Sequence, residues 1–208
     1  MKRLLILLLA LFAVPAFAGD PKGDPKAGPG TTVVKQANEK ITGLLKQKVT
    51  QGSKEEKELA GKVAGSVRDF LDIDELGKRA MVDQWSKLTP AQQTEFLTTL
   101  RGLIEDNYVK GLRANLDFTI DYTGETTDKD NNLVVATQIN TKRHNRPYKI
   151  EVDYLLKKEG SAWKAWDVKT DGVGLVENYR LQFNKIVEKD GFAGLIAKMK
   201  KKQSDQGS

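Results

Sequence analysis

The chain has 208 residues, no cysteine and a single histidine, which excludes disulfides and thiol chemistry and argues against a zinc site. Its formal net charge of +6 falls by two units to +4 without Lys2 and Arg3, which lie in the segment described next. Four more lysines stand at positions 198, 200, 201 and 202, so the rest of the surface is close to neutral. This balance argues against nucleic-acid binding.

The first eighteen residues have the features of a signal peptide. Lys2 and Arg3 precede an apolar run at 4–14, which is shorter than the roughly 20 residues of a membrane-spanning helix. Ala16-Phe17-Ala18 then provides the small-x-small pattern that signal peptidases recognise. We therefore expect export to the periplasm and cleavage after Ala18, the alternative being a retained membrane anchor. Residues 19–30 are expected to form a flexible, proline-rich leader.

Residues 31–115 have helical spacing of apolar side chains. Helix starts are predicted where a capping side chain precedes a carboxylate or an amide by three residues, at Ser53, Asp72 and Thr89. Pro90 stands in the first turn after Thr89, where its missing N–H is tolerated. This long helix has the clearest apolar stripe, which consists of Phe96, Leu100, Ile104, Tyr108 and Leu112.

From Leu116 the apolar period changes from 3.6 to 2. Alternating runs at 118–122, 133–139, 148–154 and 166–168 predict a four-stranded antiparallel sheet over 116–171. Helical spacing returns over 174–200 with a break at Gly191, and 201–208 is expected to be a disordered tail. The predicted fold is α+β, a single domain over 31–200 in which helices cover one face of the sheet. The lysines at 198–202 are either a solvated tail or a contact for anionic headgroups.

No arrangement of catalytic residues stands out. His144 lies in a predicted turn, without a nucleophile or an orienting partner nearby in sequence. Ser161 and Lys164 have the spacing of serine–lysine enzymes, but they lead into a strand, where residues three apart point to opposite faces. The run that begins at Asp128 resembles a calcium loop but lacks the glycine at its sixth position and the glutamate at its twelfth. The sequence therefore predicts no catalytic residue, no metal and no cofactor.

Two longer patterns carry a family resemblance. The first is an acidic helix start at Asp72, then Trp85, Thr89-Pro90-Ala91-Gln92, Phe96 and Asn107-Tyr108. The second is Trp163-Lys164-Ala165-Trp166-Asp167-Val168, then Asp171-Gly172-Val173-Gly174, Asn178-Tyr179-Arg180 and Phe183. Both resemble the MlaC family of periplasmic phospholipid-binding proteins, also described as toluene-tolerance auxiliary components of an ABC transporter. Three features depart from the family pattern: Asp171 replaces glutamate, Gly174 replaces serine, and 81–84 lacks a Leu-Gly pair.

The resemblance implies a cone-like, NTF2- or cystatin-like fold and a bound phospholipid as the only ligand. It implies two partners, an inner-membrane ABC transporter complex with a lipid-binding periplasmic subunit and an outer-membrane lipoprotein–porin complex. It further implies a role in maintaining outer-membrane lipid asymmetry, with no enzymatic activity.

On this hypothesis the acyl chains lie between the apolar face of the sheet and the stripes of the long helix and the helix after the sheet. Val173 is expected at the cavity mouth, with Tyr179 one turn deeper. The other expected lining residues are Phe96, Leu100, Ile104, Tyr108, Val135, Ile139, Ile150, Val152, Tyr154, Trp166 and Val168. The alternatives are an ordinary close-packed core, an enzyme on an NTF2-like fold, and a periplasmic chaperone or adaptor that binds apolar segments.

Overall fold

A computed structural model describes residues 27–110, 117–143 and 146–204. The helices before the sheet are α1 (Pro29–Leu45), α2 (Lys54–Phe70), α3 (Ile73–Ala80), α4 (Val82–Trp85) and α5 (Pro90–Val109). The strands β1 (Thr119–Thr127), β2 (Leu133–Arg143), β3 (Arg146–Glu159), β4 (Ala162–Thr170) and β5 (Val173–Gly174) follow, and α6 (Leu175–Ser204) comes last. The expected signal peptide, most of the leader, Leu112, Leu116, His144 and the last four residues lie outside the described residues.

The three predicted helix starts are confirmed by their capping bonds. Ser53 accepts a hydrogen bond from the backbone N–H of Glu56 at 3.1 Å, and Asp72 accepts one from Glu75 at 2.9 Å. Thr89 and Gln92 form a complete capping box at the start of α5. These side chains satisfy backbone donors that a helix leaves unpaired in its first turn. The short helix α4 was not predicted.

The sheet is antiparallel in the order β1-β2-β3-β4-β5, which confirms the predicted α+β class. The sequence-based count of four strands is one too low, because the two-residue strand β5 pairs with the end of β4. Asp171 and Gly172 make the turn between them with φ values of 47° and 82°. Two consecutive positive φ values are typical of the tight hairpin turn whose twist matches antiparallel strands.

Helices cover one face of this sheet. The backbone of α1 approaches β1 and β2, while α2, α3 and α6 approach β4. The long helix α5 packs chiefly against α2, α3 and α6. The expectation that its stripe is the main cover of the sheet is therefore incomplete, because other helices lie closest to the strands. Within the described ranges, no helix combines the length and the apolar character needed to cross a membrane.

A strand carboxylate fixes the start of α1. Glu125 of β1 accepts hydrogen bonds from the backbone N–H groups of Gly30 and Thr31, at 3.3 and 2.6 Å, and from the Thr31 hydroxyl at 2.7 Å. The negative charge also lies at the positive end of the helix dipole. Helix α1 accordingly begins at Pro29, inside the segment expected to be a flexible leader.

A second strand carboxylate fixes the start of α6. Asp167 is buried and accepts hydrogen bonds from the backbone N–H groups of Val168 at 2.9 Å and Val176 at 3.1 Å. A β-carbon at position 174 would lie 2.7 Å from its carboxylate, so Gly174 leaves room for this contact. Burial raises the pKa of Asp167, although its backbone hydrogen bonds act in the opposite direction.

The last helix contains the predicted break and extends beyond its predicted end. Gly191 has non-helical torsions, with φ 69° and ψ 179°, so two helical segments meet there. The second segment continues to Ser204, whereas a disordered tail was expected from residue 201. Lys200 contacts Glu95 of α5 at 2.6 Å, and such contacts hold the C-terminal turns against α5.

A partly buried ionic cluster joins α3 to β3. The ammonium of Lys157 lies 2.9 Å from Asp72 and 3.4 Å from Glu75. Burial acts to raise the pKa of both carboxyls, but hydrogen bonds and positive charges outweigh it, so both pKa values are lowered. For Asp72 these are the Glu75 backbone N–H and Lys157, and for Glu75 they are Arg79 and Lys157. The pKa of Lys157 is raised correspondingly.

Replacement of Glu125 by glutamine should destabilise the protein by about 1–2 kcal/mol, because the capping bonds to α1 lose their charged acceptor. The measurement is the free energy of unfolding in urea. Glu151→Gln is the matched control, since that exposed strand carboxylate accepts no hydrogen bond from a described residue. Equal stability of the two variants would contradict the assigned role of Glu125.

Replacement of Lys157 by methionine should destabilise the protein by about 1–3 kcal/mol at pH 6, because two partly buried carboxylates lose their counter-charge. A carboxyl whose pKa is lower in the folded state stabilises the protein fully when the pH is above its unfolded pKa, which is 3.8 for Asp72 and 4.5 for Glu75. This stabilisation is lost as the pH falls through the lowered pKa of the folded state. The difference between variant and wild type should therefore shrink between pH 6 and pH 3. Lys54→Met, which removes an exposed pair, should have little effect at either pH.

Candidate functional site

The structure divides the residues expected to line an apolar site into three groups. Val173 is exposed, with 50% of its surface accessible. Tyr108, Ile139, Trp166 and Tyr179 are half-buried and pack against the core. The others are buried: Phe96, Leu100, Ile104, Val135, Ile150, Val152, Tyr154 and Val168. All but Val173 therefore belong to, or border, one apolar cluster, which by burial alone fits either a packed core or the wall of a recess.

The strand residues of this set form rows across the inner face of the sheet. Val135 of β2 pairs with Tyr154 of β3, which pairs with Val168 of β4. Ile139 pairs with Ile150 in a second row on the same face, beyond the pair of Thr137 and Val152. Because alternate residues of a strand share a face, this register places all five side chains on the helix-covered side. The predicted inward-facing set of these strands is thus brought together.

Aromatic rings form the helical side of the cluster. Phe96 of α5 meets Phe183 of α6 edge to face, with ring centroids 5.4 Å apart. Tyr179 stacks on Phe183 at 5.2 Å. Phe70 of α2 lies 5.8 Å from Tyr154 and so connects the helices to the sheet. Phe183 and Phe70 were not predicted as lining residues, although their positions in apolar stripes were recognised.

Three phenolic hydroxyls enter this apolar layer. Burial raises the pKa of Tyr154 to about 12 and that of Tyr179 to about 12. The pKa of Tyr108 is also raised, first by burial and then by the neighbouring Tyr154 and Tyr179. By accessible area, however, Tyr108 and Tyr179 are only half-buried. Tyr108 and Tyr179 thus each keep part of their surface in contact with solvent at the border of the apolar cluster.

Asn38 of α1 connects this layer to the edge of the sheet. Its side-chain oxygen accepts a hydrogen bond from the Tyr154 hydroxyl at 3.4 Å, and its amide nitrogen donates to the Tyr122 hydroxyl at 3.3 Å. Sequence reasoning missed Asn38. The signal was present, because Asn38 lies in the helical stripe with Val34 and Ile41, where an isolated polar residue indicates an internal hydrogen bond.

Trp166 is held differently from the other predicted wall residues. It lies at the bulge where β4 shifts register against β3, and the Arg79 guanidinium stacks 4.0 Å from its ring. Its indole N–H is buried and has no hydrogen-bond partner within the part of the chain that the structure describes. Trp166 therefore closes the layer beneath α3, with one polar atom left unsatisfied inside.

Val173, which the sequence predicts at a cavity mouth, lies at the surface. It is the first residue of β5, directly after the Asp171-Gly172 turn and two residues before α6 begins. The buried carboxylate of Asp167 holds the start of α6 beside it. An exposed apolar side chain is thus fixed at the junction between the last strand and the helix that carries Tyr179.

The chemistry available to this layer is dominated by hydrocarbon and aromatic surface. Its polar groups are phenols, one amide, one indole and the hydroxyl of Thr137, which donates to the Val152 carbonyl at 2.8 Å. The nearest carboxylate, Asp167, is engaged by backbone N–H groups. Across the described ranges, no three His, Cys, Asp or Glu side chains lie close enough to share a metal ion. The layer is suited to solvating apolar groups.

Comparisons with known proteins agree with this architecture. The solved structure of a phospholipid-binding protein from Ralstonia solanacearum, in complex with a phospholipid, is similar with a TM-score of 0.69 and 22% sequence identity, covering 85% of this chain and 98% of that one. A comparison with curated protein sequences gives no significant match. The profile of the family described as MlaC protein matches residues 35–201, from α1 into the last turns of α6. Because this match spans well over half of the sequence, the chain belongs to the MlaC family.

Proposed function

We propose that this protein is a periplasmic phospholipid carrier that encloses acyl chains between the inner face of the sheet and the helices α5 and α6. The observation that carries the proposal is the apolar layer between the inner face of the sheet and the covering helices, in a fold shared with a protein solved in complex with a phospholipid. The wall residues are those expected from the sequence, with Phe70 and Phe183 added.

Enclosure follows from the cost of exposing lipid tails to water. Each acyl methylene left in water costs about 0.8 kcal/mol, so two chains of roughly fifteen carbons represent more than 20 kcal/mol. A carrier that crosses an aqueous compartment must surround the tails and can leave the phosphate outside. The inner rows of the sheet and the aromatic rings of α5 and α6 provide apolar surface on both sides of such a ligand.

The site of action that we propose is the periplasm, after removal of residues 1–18. There the carrier would exchange phospholipid with an inner-membrane ABC transporter complex that has a lipid-binding periplasmic subunit. It would also exchange phospholipid with an outer-membrane lipoprotein–porin complex, and so maintain the lipid asymmetry of the outer membrane. Membership of the MlaC family and the signal-peptide pattern support this placement. The apolar lining supports the transport of a phospholipid and not an enzymatic reaction on the phospholipid.

The direct experiment is organic extraction of the mature protein purified without detergent, followed by mass spectrometry. We expect diacyl phospholipid in near-equimolar amount. A folded protein that contains no lipid, and takes up none from vesicles, would refute the carrier.

Replacement of Val173 by glutamate tests the proposed entrance. A carboxylate at this rim has to be desolvated by passing acyl chains, so the variant should retain about fivefold less phospholipid, with unchanged circular dichroism. Leu181→Glu is the matched control, since Leu181 is also an exposed apolar residue of this region, with 67% of its surface accessible. If Val173→Glu folds and keeps its full phospholipid content, Val173 does not lie at the entrance.

A further inference from the structure

A groove of about 450 Å³ runs between α1 and the outer edge of the sheet. Its strand side is apolar and consists of Phe118, Ile120 and Tyr122, which alternate along the chain and so share one face. Its helix side includes Lys35 and Lys46. The volume lies in the range of ligand pockets, and a helix and a strand form the two walls.

The strand that forms this wall has an unpaired edge. β1 is the first strand of the sheet and pairs only with β2 among the described strands. No strand within 27–110, 117–143 or 146–204 pairs with its outward backbone N–H and C=O groups, which are the groups that an added strand would use. A strand added here would continue the ladder and point alternate side chains toward α1, the geometry in which extended peptides bind in a groove between a helix and a sheet edge.

Gly43 leaves space for such a strand. It lies inside α1, lines the groove, and has no atom within 4 Å of the position that a β-carbon would take. Glycine inside a helix is less favourable than alanine by about 0.5–1 kcal/mol, and no contact within the described structure requires it here. Its effect is to widen the groove opposite the centre of its apolar wall.

The positive charges along α1 favour a bound segment with acidic side chains. Lys35 and Lys46 are eleven residues apart, which is three helical turns and about 16 Å, on the same face of α1. Both are exposed, and neither forms an ion pair with a residue of the described ranges. Two ammonium groups whose attachment points on the helix are this far apart favour two separate acidic side chains over a single phosphate group. In an extended chain, acids four residues apart on one face are about 13 Å apart, within reach of flexible lysine side chains.

Other charges near the groove refine this preference. Glu39 also lines it, one turn from Lys35, so the end at Lys46 is the more positive. Asp117 and Asp121 of the β1 segment are exposed, and Asp121 lies on the opposite face of the strand from Ile120. An added strand should therefore present acids toward α1 and neutral residues on its other face.

We propose that the groove between α1 and β1 binds an extended segment of a partner protein as a sixth strand. The segment carries an apolar side chain that packs against Ile120 near Gly43, flanked by acidic side chains for Lys35 and Lys46. This groove lies at the opposite edge of the sheet from Val173, so partner binding and lipid entry use separate surfaces. The proposal does not depend on the ligand that the interior carries.

In the test, a synthetic peptide, acetyl-TETVTET-amide, is titrated into the ¹⁵N-labelled mature chain. Binding is monitored by ¹H–¹⁵N correlation spectroscopy. We expect saturable shifts confined to the amides of residues 35–46 and 117–127. Acetyl-TKTVTKT-amide, which reverses the charges, and acetyl-TETPTET-amide, which removes a central backbone donor, should bind much more weakly.

Two variants examine the two halves of the proposal. Lys35→Ser combined with Lys46→Ser should weaken binding about tenfold, because two surface ion pairs are lost. Gly43→Leu should keep the fold, since leucine favours a helix, and should abolish binding by filling the groove. Lys57→Ser, in the exposed surface of α2, is the control and should change nothing. Phospholipid content should be the same in all of these variants.

The proposal is overturned if the acidic peptide shifts no amide of β1, or if the charge-reversed peptide binds as tightly. It is also overturned if dodecyl phosphate, and not the peptide, shifts the same amides, since the groove would then be an amphiphile site. Because lipid content is measured independently, none of these outcomes bears on the carrier function.

Discussion

Two strand carboxylates hold helix N-termini against the sheet, and the architecture of the apolar layer depends on them. Glu125 fixes α1 at one edge, and Asp167 fixes α6 at the other. In both cases the acceptor is a charged group at the positive end of a helix dipole, so each contact is stronger than an ordinary side-chain hydrogen bond. The helices that cover the sheet are thereby attached to it near both of its edges. The layer between them is lined by apolar side chains from the sheet and the helices.

This arrangement separates the work of stability from the work of binding. The caps of α2, α3 and α5 and the Lys157 cluster hold the helices in place by polar contacts near the surface. The interior surfaces are then free to be apolar. A close-packed core would gain stability from each added contact, whereas a carrier has to leave such contacts to its ligand.

The sequence predicted those features that depend on local patterns. Capping residues located the starts of α2, α3 and α5, period-two runs located β1 to β4, and alternation identified the inward side chains. The start of α1 was missed because its cap, Glu125, is 94 residues away from Thr31. The continuation of α6 to Ser204 likewise rests on contacts with α5 that no local pattern reveals. Asn38 is a different case: its place in the apolar stripe of α1 indicates an internal hydrogen bond, but its tyrosine partners come from two different strands and could not be identified from that stripe.

The open edge of β1 has a consequence for the protein at high concentration. Unpaired strand edges are where identical molecules tend to polymerise. Here Asp117 and Asp121 are four residues apart on one face of this segment, and a second copy aligned antiparallel about Thr119 would bring like charges into opposition. The bulge between Tyr122 and Gly124 adds local twist, which a flat ladder of many copies cannot follow but a single short strand beside Phe118 to Tyr122 does not have to cross. These features disfavour the stacking of identical chains at the edge and still leave room for one short segment of different charge.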